Sequence, residues 1–98
     1  MIETKLSKTT SPKKYKMEFF KDGKKFKTTK FGAFGMSDYT LHKDLKRKSL
    51  YLNRHRKREN WDDFYSAGSL SRYILWNKTS INSSYLDYLK KFNLKKKS

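Results

Sequence analysis

The chain has 98 residues, no cysteine, 35% hydrophobic residues and a formal net charge of +16. A disulfide framework and a thiolate metal site are thereby excluded, and no apolar run reaches the roughly 18–20 residues of a membrane span. The expectation is one small domain whose core rests on aromatic residues, 16% of the chain, each ring removing roughly 150–250 Å² from water. No signal-peptide core follows Met1, so the chain reads as soluble and intracellular.

The charge is uneven. Residues 1–58 hold 18 basic and 5 acidic side chains, a net +13; residues 59–89 sum to −2 and the last nine to +5. Lys outnumbers Arg 20 to 5, as A/T-rich base composition favours, but the same drift would raise Asn, Ile and the acids, which number five, three and nine. Drift accounts for the choice of Lys, not for the sign. A surface this basic repels itself unless an anion neutralises it, and nucleic acid is the first candidate because each neutralised phosphate releases a counterion.

In chain order, residues 1–13 are polar and basic, carry the only proline, Pro12, and read as a flexible arm. A hairpin is predicted over 15–31, with Asp22-Gly23 as its turn. Pairing around that turn sets Phe19 opposite Phe26, Met17 opposite Thr28 and Glu18 opposite Lys27. Tyr15, Met17, Phe19 and Phe26 then cover a core, while Lys16, Lys25 and Lys27 surround Glu18 and Phe20 on the other face, with Lys30 further along. These lysines are either a β-ribbon contact to nucleic acid or protection of a sheet edge.

Phe31-Gly32-Ala33-Phe34-Gly35 ends the strand, its glycines pointing to unusual backbone angles or close approach. Ser37 or Asp38 starts a short turn, and Asp44 caps a helix over about 44–58. On that helix Leu41, Leu45 and Leu52 form the apolar stripe, with Tyr51 and His55 at its edge. Lys46, Arg47, Arg54, Lys57 and Arg58 gather opposite, within about 120° of arc. Four of the five arginines lie between Arg47 and Arg58. Guanidinium forks suit phosphate, and the other reading is a solvated helix face.

A second helix over 66–76 is apolar nearly all round and should be central, with Ala67, Gly68 and Ser69 letting neighbours approach. A third, over 80–92, carries the stripe Ile81, Tyr85, Tyr88, Leu89 and Phe92. Residues 95–98 form a basic tail. The predicted fold is α+β: a hairpin packed on about three helices within residues 14–94.

Candidate metal ligands are His42, His55, Asp38 and Asp44, and Arg54-His55 with Asn60 and Asp62 distantly resembles a nuclease metal site. His42 and His55 lie 13 apart with no compact ligand spacing. No nucleophile elbow, P-loop or glycine fingerprint occurs, so the reading is non-enzymatic with no cofactor.

The run Phe31-Gly32-Ala33-Phe34-Gly35-Met36-Ser37-Asp38-Tyr39-Thr40-Leu41-His42-Lys43-Asp44, then Arg54-His55-Arg56, Glu59-Asn60-Trp61 and Ala67 through Asn77, carries a resemblance. Over roughly Tyr15 to Leu94 the chain resembles an uncharacterised family of small basic proteins of nucleocytoplasmic large DNA viruses, including algal and amoebal giant viruses. Members often have proline where Leu45 and Thr79 stand here, which softens both helix starts. The resemblance implies no activity and no functional residues. It implies a viral setting with a large DNA genome, and a rival role as a virion protein.

The reading is therefore a largely sequence-independent DNA-binding protein, acting in genome packaging or organisation, with the virion, virus factory or nucleus as its place. Its contacts are Lys46, Arg47, Arg54, Arg56, Lys57 and Arg58 on the helix, and Lys16, Lys25, Lys27 and Lys30 on the hairpin, with arm and tail adding affinity. The second and third helices are scaffold and a possible dimer surface. The alternatives are a minor capsid or core protein binding acidic protein, an RNA-binding module using Phe20 or Phe34, an anionic lipid surface, and a metal-dependent nuclease.

Overall fold

In the computed structural model, which describes residues 2–10, 12–33 and 35–97, Asp22 and Gly23 both take positive φ, 52° and 78°. Both angles are those of a two-residue turn whose twist matches the flanking strands. It joins β2 (Lys13–Lys21) to β3 (Lys24–Ala33). The register departs from simple pairing: Phe20 faces Lys25, but Phe19 faces Lys27 and Met17 faces Thr29. Phe26 is the extra residue of a β-bulge. It stays 49% exposed at the margin, its ring 6.5 Å from Phe19. Phe31 replaces it in the core, fully buried, because the strand continues through Gly32 to Ala33.

The segment read as a flexible arm supplies β1 (Glu3–Lys8), paired antiparallel to β2. After the last helix, β4 (Lys95–Lys96) pairs parallel to β1, so the tail is docked as well. The sheet runs β3-β2-β1-β4, and β1 is an inner strand. Thr4 is its anchor. Fully buried, its Oγ1 lies 2.7 Å from the Tyr85 hydroxyl, which donates to the Thr4 carbonyl at 3.2 Å.

Four helical pieces follow, each opened by a side-chain cap: α1 (Tyr39–His42) by Asp38, α2 (Leu45–Arg56) by Asp44, α3 (Ala67–Leu70) by Ser66 and α4 (Ile81–Phe92) by Ser80. The second predicted helix is not a uniform α-helix. After α3 the chain widens into a π-helical segment, Ser71–Leu75, closed by the Trp76 N–H donating to the Ser71 carbonyl at 3.1 Å. This segment and α4 cover one face of the sheet. Met17, Phe19 and Phe31 meet Leu70, Tyr73, Ile74, Leu75, Tyr85, Tyr88 and Leu89 there. The architecture is α+β, and among the described residues no helix is long and apolar enough to cross a membrane.

The predicted apolar stripe of α2 does not enter this core. Leu41 and Leu45 are 64% and 67% exposed, and no residue of α2 is buried. The sheet face is already filled by the π-helical segment and α4, so α2 lies outside and attaches by other side chains.

Gly32 is where the helical layer comes closest to the sheet. Its φ is +75°, and an added Cβ would stand 2.8 Å from Leu75 Cδ1. Gly35 has φ +82° but open space around it. Gly32→Ala should lower stability by about 2–4 kcal/mol and Gly35→Ala by about 1–2, the difference measuring the contact with Leu75 in urea unfolding. Tyr85→Phe should cost about 1–2 kcal/mol through the buried Thr4 pair; a change near zero would mean that these hydrogen bonds add nothing net to the fold.

Candidate nucleic-acid interface

Stacked rings attach α2. The Tyr51 ring lies 4.2 Å from that of Trp76 with only 3° between planes, and His55 covers its other face at 4.3 Å. One turn earlier, Lys48 Nζ donates to the Asn77 carbonyl at 2.7 Å and sits 4.9 Å over the Tyr39 ring. Positions 48, 51 and 55 form one stripe at helical spacing, and this polar-aromatic stripe does the work expected of the leucines. Burial, aided by Arg72 and Lys78, lowers the Lys48 pKa. Arg72 lies 5.3 Å from the Trp61 ring and donates to the Trp76 carbonyl at 3.2 Å. It is a structural arginine.

With that stripe inward, Lys46, Arg47, Arg54, Arg56, Lys57 and Arg58 are all exposed. Among the described residues the close contacts between basic and acidic side chains are Lys14–Asp38, Lys25–Glu18 and His55–Glu59, and none involves these six. Arg47 and Arg54 line a cleft of about 440 Å³ between α2 and the rest of the molecule, whereas Lys46, Arg56, Lys57 and Arg58 do not. Lys57 is the C-cap residue of α2.

The hairpin lysines divide. Directly opposed residues share a face, so Lys16 and Lys30 stand together on the open face of the sheet, away from the core. Lys25 is there too, opposite Phe20, with Nζ 3.2 Å from Glu18. Lys27 is not. The bulge at Phe26 moves it opposite Phe19, onto the side of the sheet that faces the helices. The sequence pairing missed this because a bulge shifts every later residue to the other face. The open face and the α2 arc are thus separate basic surfaces. Phe20 is half-buried, with Lys97 Nζ 5.0 Å over its ring, and Phe34 lies outside the described residues.

Lys14, which the sequence did not single out, spans the corner between them. Its Nζ lies 2.8 Å from Asp38, and it also donates to the Met36 carbonyl. Asp38 in turn accepts from the Thr40 backbone N–H at 2.9 Å and from the Thr40 hydroxyl. This partly buried pair ties the loop before α1 to the sheet. Asp38, His42, Asp44 and His55 do not converge: His42 Nδ1 accepts from the Asp44 N–H at 2.9 Å, and Asp44 caps α2. Among the described residues no three His, Asp or Glu gather as a metal would require.

Burial, with the Glu59 carboxylate adding to it, pushes the Tyr51 pKa from 10.0 up to about 12. A raised tyrosine pKa means that the fold favours the neutral phenol. Its contribution is complete below pH 10 and is lost as the pH climbs from there through about 12. Tyr51→Phe keeps the stack and removes the proton. It should therefore reduce the alkaline loss of stability in that window, measured by urea unfolding at stepped pH.

No curated protein and no solved structure matches the chain. A family model matches residues 5–55, from within β1 to the inward-facing stripe of α2, and so takes in Gly32, the Lys14–Asp38 pair, Arg47 and Arg54. By that match the chain belongs to DUF5754, a family of unknown function.

Proposed function

We propose that this protein is a non-enzymatic, largely sequence-independent DNA-binding protein of a large DNA virus, serving genome packaging or organisation. One observation carries the reading: six exposed basic side chains on and just beyond α2 without an acidic partner among the described residues. Helix neighbours of like charge at this spacing destabilise the isolated protein, and an anionic partner removes that cost. Lys16 and Lys30, directly opposite on the open sheet face, repeat the pattern on a second surface. Two basic surfaces on one small molecule suit bridging of DNA segments, with Arg forks and Lys point charges holding phosphates rather than base edges. The viral setting rests on the sequence blocks between Phe31 and Asn77.

A second reading, a minor virion protein seated on acidic protein, draws on the exposed Met36, Leu41 and Leu45 beside the basic helix. Charge with adjoining apolar area suits a protein partner better than a phosphate backbone.

Fluorescence anisotropy against random duplex DNA across a salt series separates the two. The DNA reading expects micromolar or tighter binding near physiological salt, and Arg47, Arg54 and Arg58 replaced together by Ala should flatten the log–log salt slope by roughly three. Binding that vanishes just above low salt would end the DNA reading and leave the virion one.

A further inference from the structure

The cleft beside α2 differs from the exposed arc that borders it. At about 440 Å³ it is within the range of pockets that hold a small organic ligand. No duplex fits into it. Arg47 and Arg54, seven residues apart on α2, stand two turns from one another along its wall, with Leu50 between them. Across the cleft lie Leu75 and Trp76.

The charge inside is unbalanced in one direction. Among the described residues Asp38 is the only carboxylate lining the cleft, and it is committed to Lys14 and to the start of α1. That pair cancels internally and leaves the two guanidinium groups uncompensated. A phosphate is the group their planar forks fit best. The far wall adds an independent sign. Ser71 and Leu75, the two ends of the π-helical segment, both line the cleft. Such wide turns occur mostly as single insertions in helices and often at functional sites.

From this geometry we infer that the cleft binds one unpaired nucleotide, its phosphate held by Arg47 and Arg54 and its base against Leu50 and Trp76. Both faces of Tyr51 are already covered, by Trp76 and His55, so the base lies on Leu50 and against the edge of Trp76 rather than in the stack. The inference rests on the reading of α2 as a phosphate-contacting helix. It adds that the protein holds a strand end or a free nucleotide in addition to duplex backbone.

The test is a ¹H–¹⁵N titration of the full chain with thymidine monophosphate, thymidine, inorganic phosphate and 5′-phosphorylated oligothymidylate. The nucleotide should move the Trp76 indole N–H and the Gly32 and Ser71 amides while leaving the Trp61 indole in place. Arg54→Ala should weaken binding about tenfold or more. Leu50→Trp, at a position 54% exposed and so tolerant of bulk, should block the cleft. Lys90→Ala, an equal charge change on α4, should leave binding intact. Oligothymidylate tighter than the mononucleotide assigns a strand end, and equal affinity assigns a free nucleotide. Phosphate alone binding as tightly as the nucleotide, or shifts absent from Trp76 and Gly32, overturns the inference. Should duplex binding persist in that case with its steep salt dependence, the cleft proposal fails and the DNA-binding reading stands; loss of both removes both.

Discussion

The packing of Leu75 on Gly32 governs more of this structure than any other contact. The missing side chain at Gly32 lets the π-helical segment press onto β3 where a Cβ would come within 2.8 Å of Leu75. That approach closes the core around Phe31 and carries the next residue, Trp76, to the edge of the sheet. Trp76 then supplies the flat platform on which Tyr51, and through it α2, is seated. The core, the orientation of the basic helix and the cleft therefore share one steric requirement. Close-packed interiors transmit such a displacement rather than absorb it.

This arrangement frees α2 from core duty. A helix that buried Leu45 in place of its polar-aromatic stripe would present a different arc to solvent. Held by a ring stack and by Lys48 on the Asn77 carbonyl, it keeps Arg47 and Arg54 toward the cleft and the remaining basic groups outward. The attachment uses polar side chains: the Lys48 ammonium is partly desolvated but hydrogen-bonded, and Arg72, whose buried Nε has no hydrogen-bond partner among the described residues, lies against aromatic faces. The Lys14–Asp38 pair fixes the neighbouring loop from the other side. The exposed arc gains nothing from the fold itself, since its charges find no acids among the described residues.

Stability and the basic surfaces thus rest on different side chains, even within β2 and β3. Tyr85 and Tyr88 place their hydroxyls on Thr4 and on the Phe64 carbonyl at 2.7 Å, so the aromatic core is also hydrogen-bonded to strand and loop. The family match ends within α2, before the π-helical segment and α4 that supply the opposing wall of the core.

What could be read from the sequence is what neighbours within about four residues decide. Asp22-Gly23 specifies its turn, Asp38, Asp44, Ser66 and Ser80 cap the helices they precede, and the stripe Tyr85, Tyr88, Leu89 faces the core of α4 because each depends on local geometry alone. The basic arc on α2 was legible for the same reason. β1 left a weaker trace: Ile2, Thr4 and Leu6 alternate with Glu3, Lys5 and Ser7, a period-two pattern hidden by the polar Thr and the shortness of the run. The bulge at Phe26 that turns Lys27 to the other face, the docking of Lys95–Lys96, the exposure of Leu41 and Leu45, and the meeting of Tyr51 with Trp76 across 25 positions left no local mark. The composition and local order of this chain determined an α+β domain with a basic helix. Only the tertiary structure decided which side of that helix faces out, because that depends on which elements reach the sheet face first and fill it.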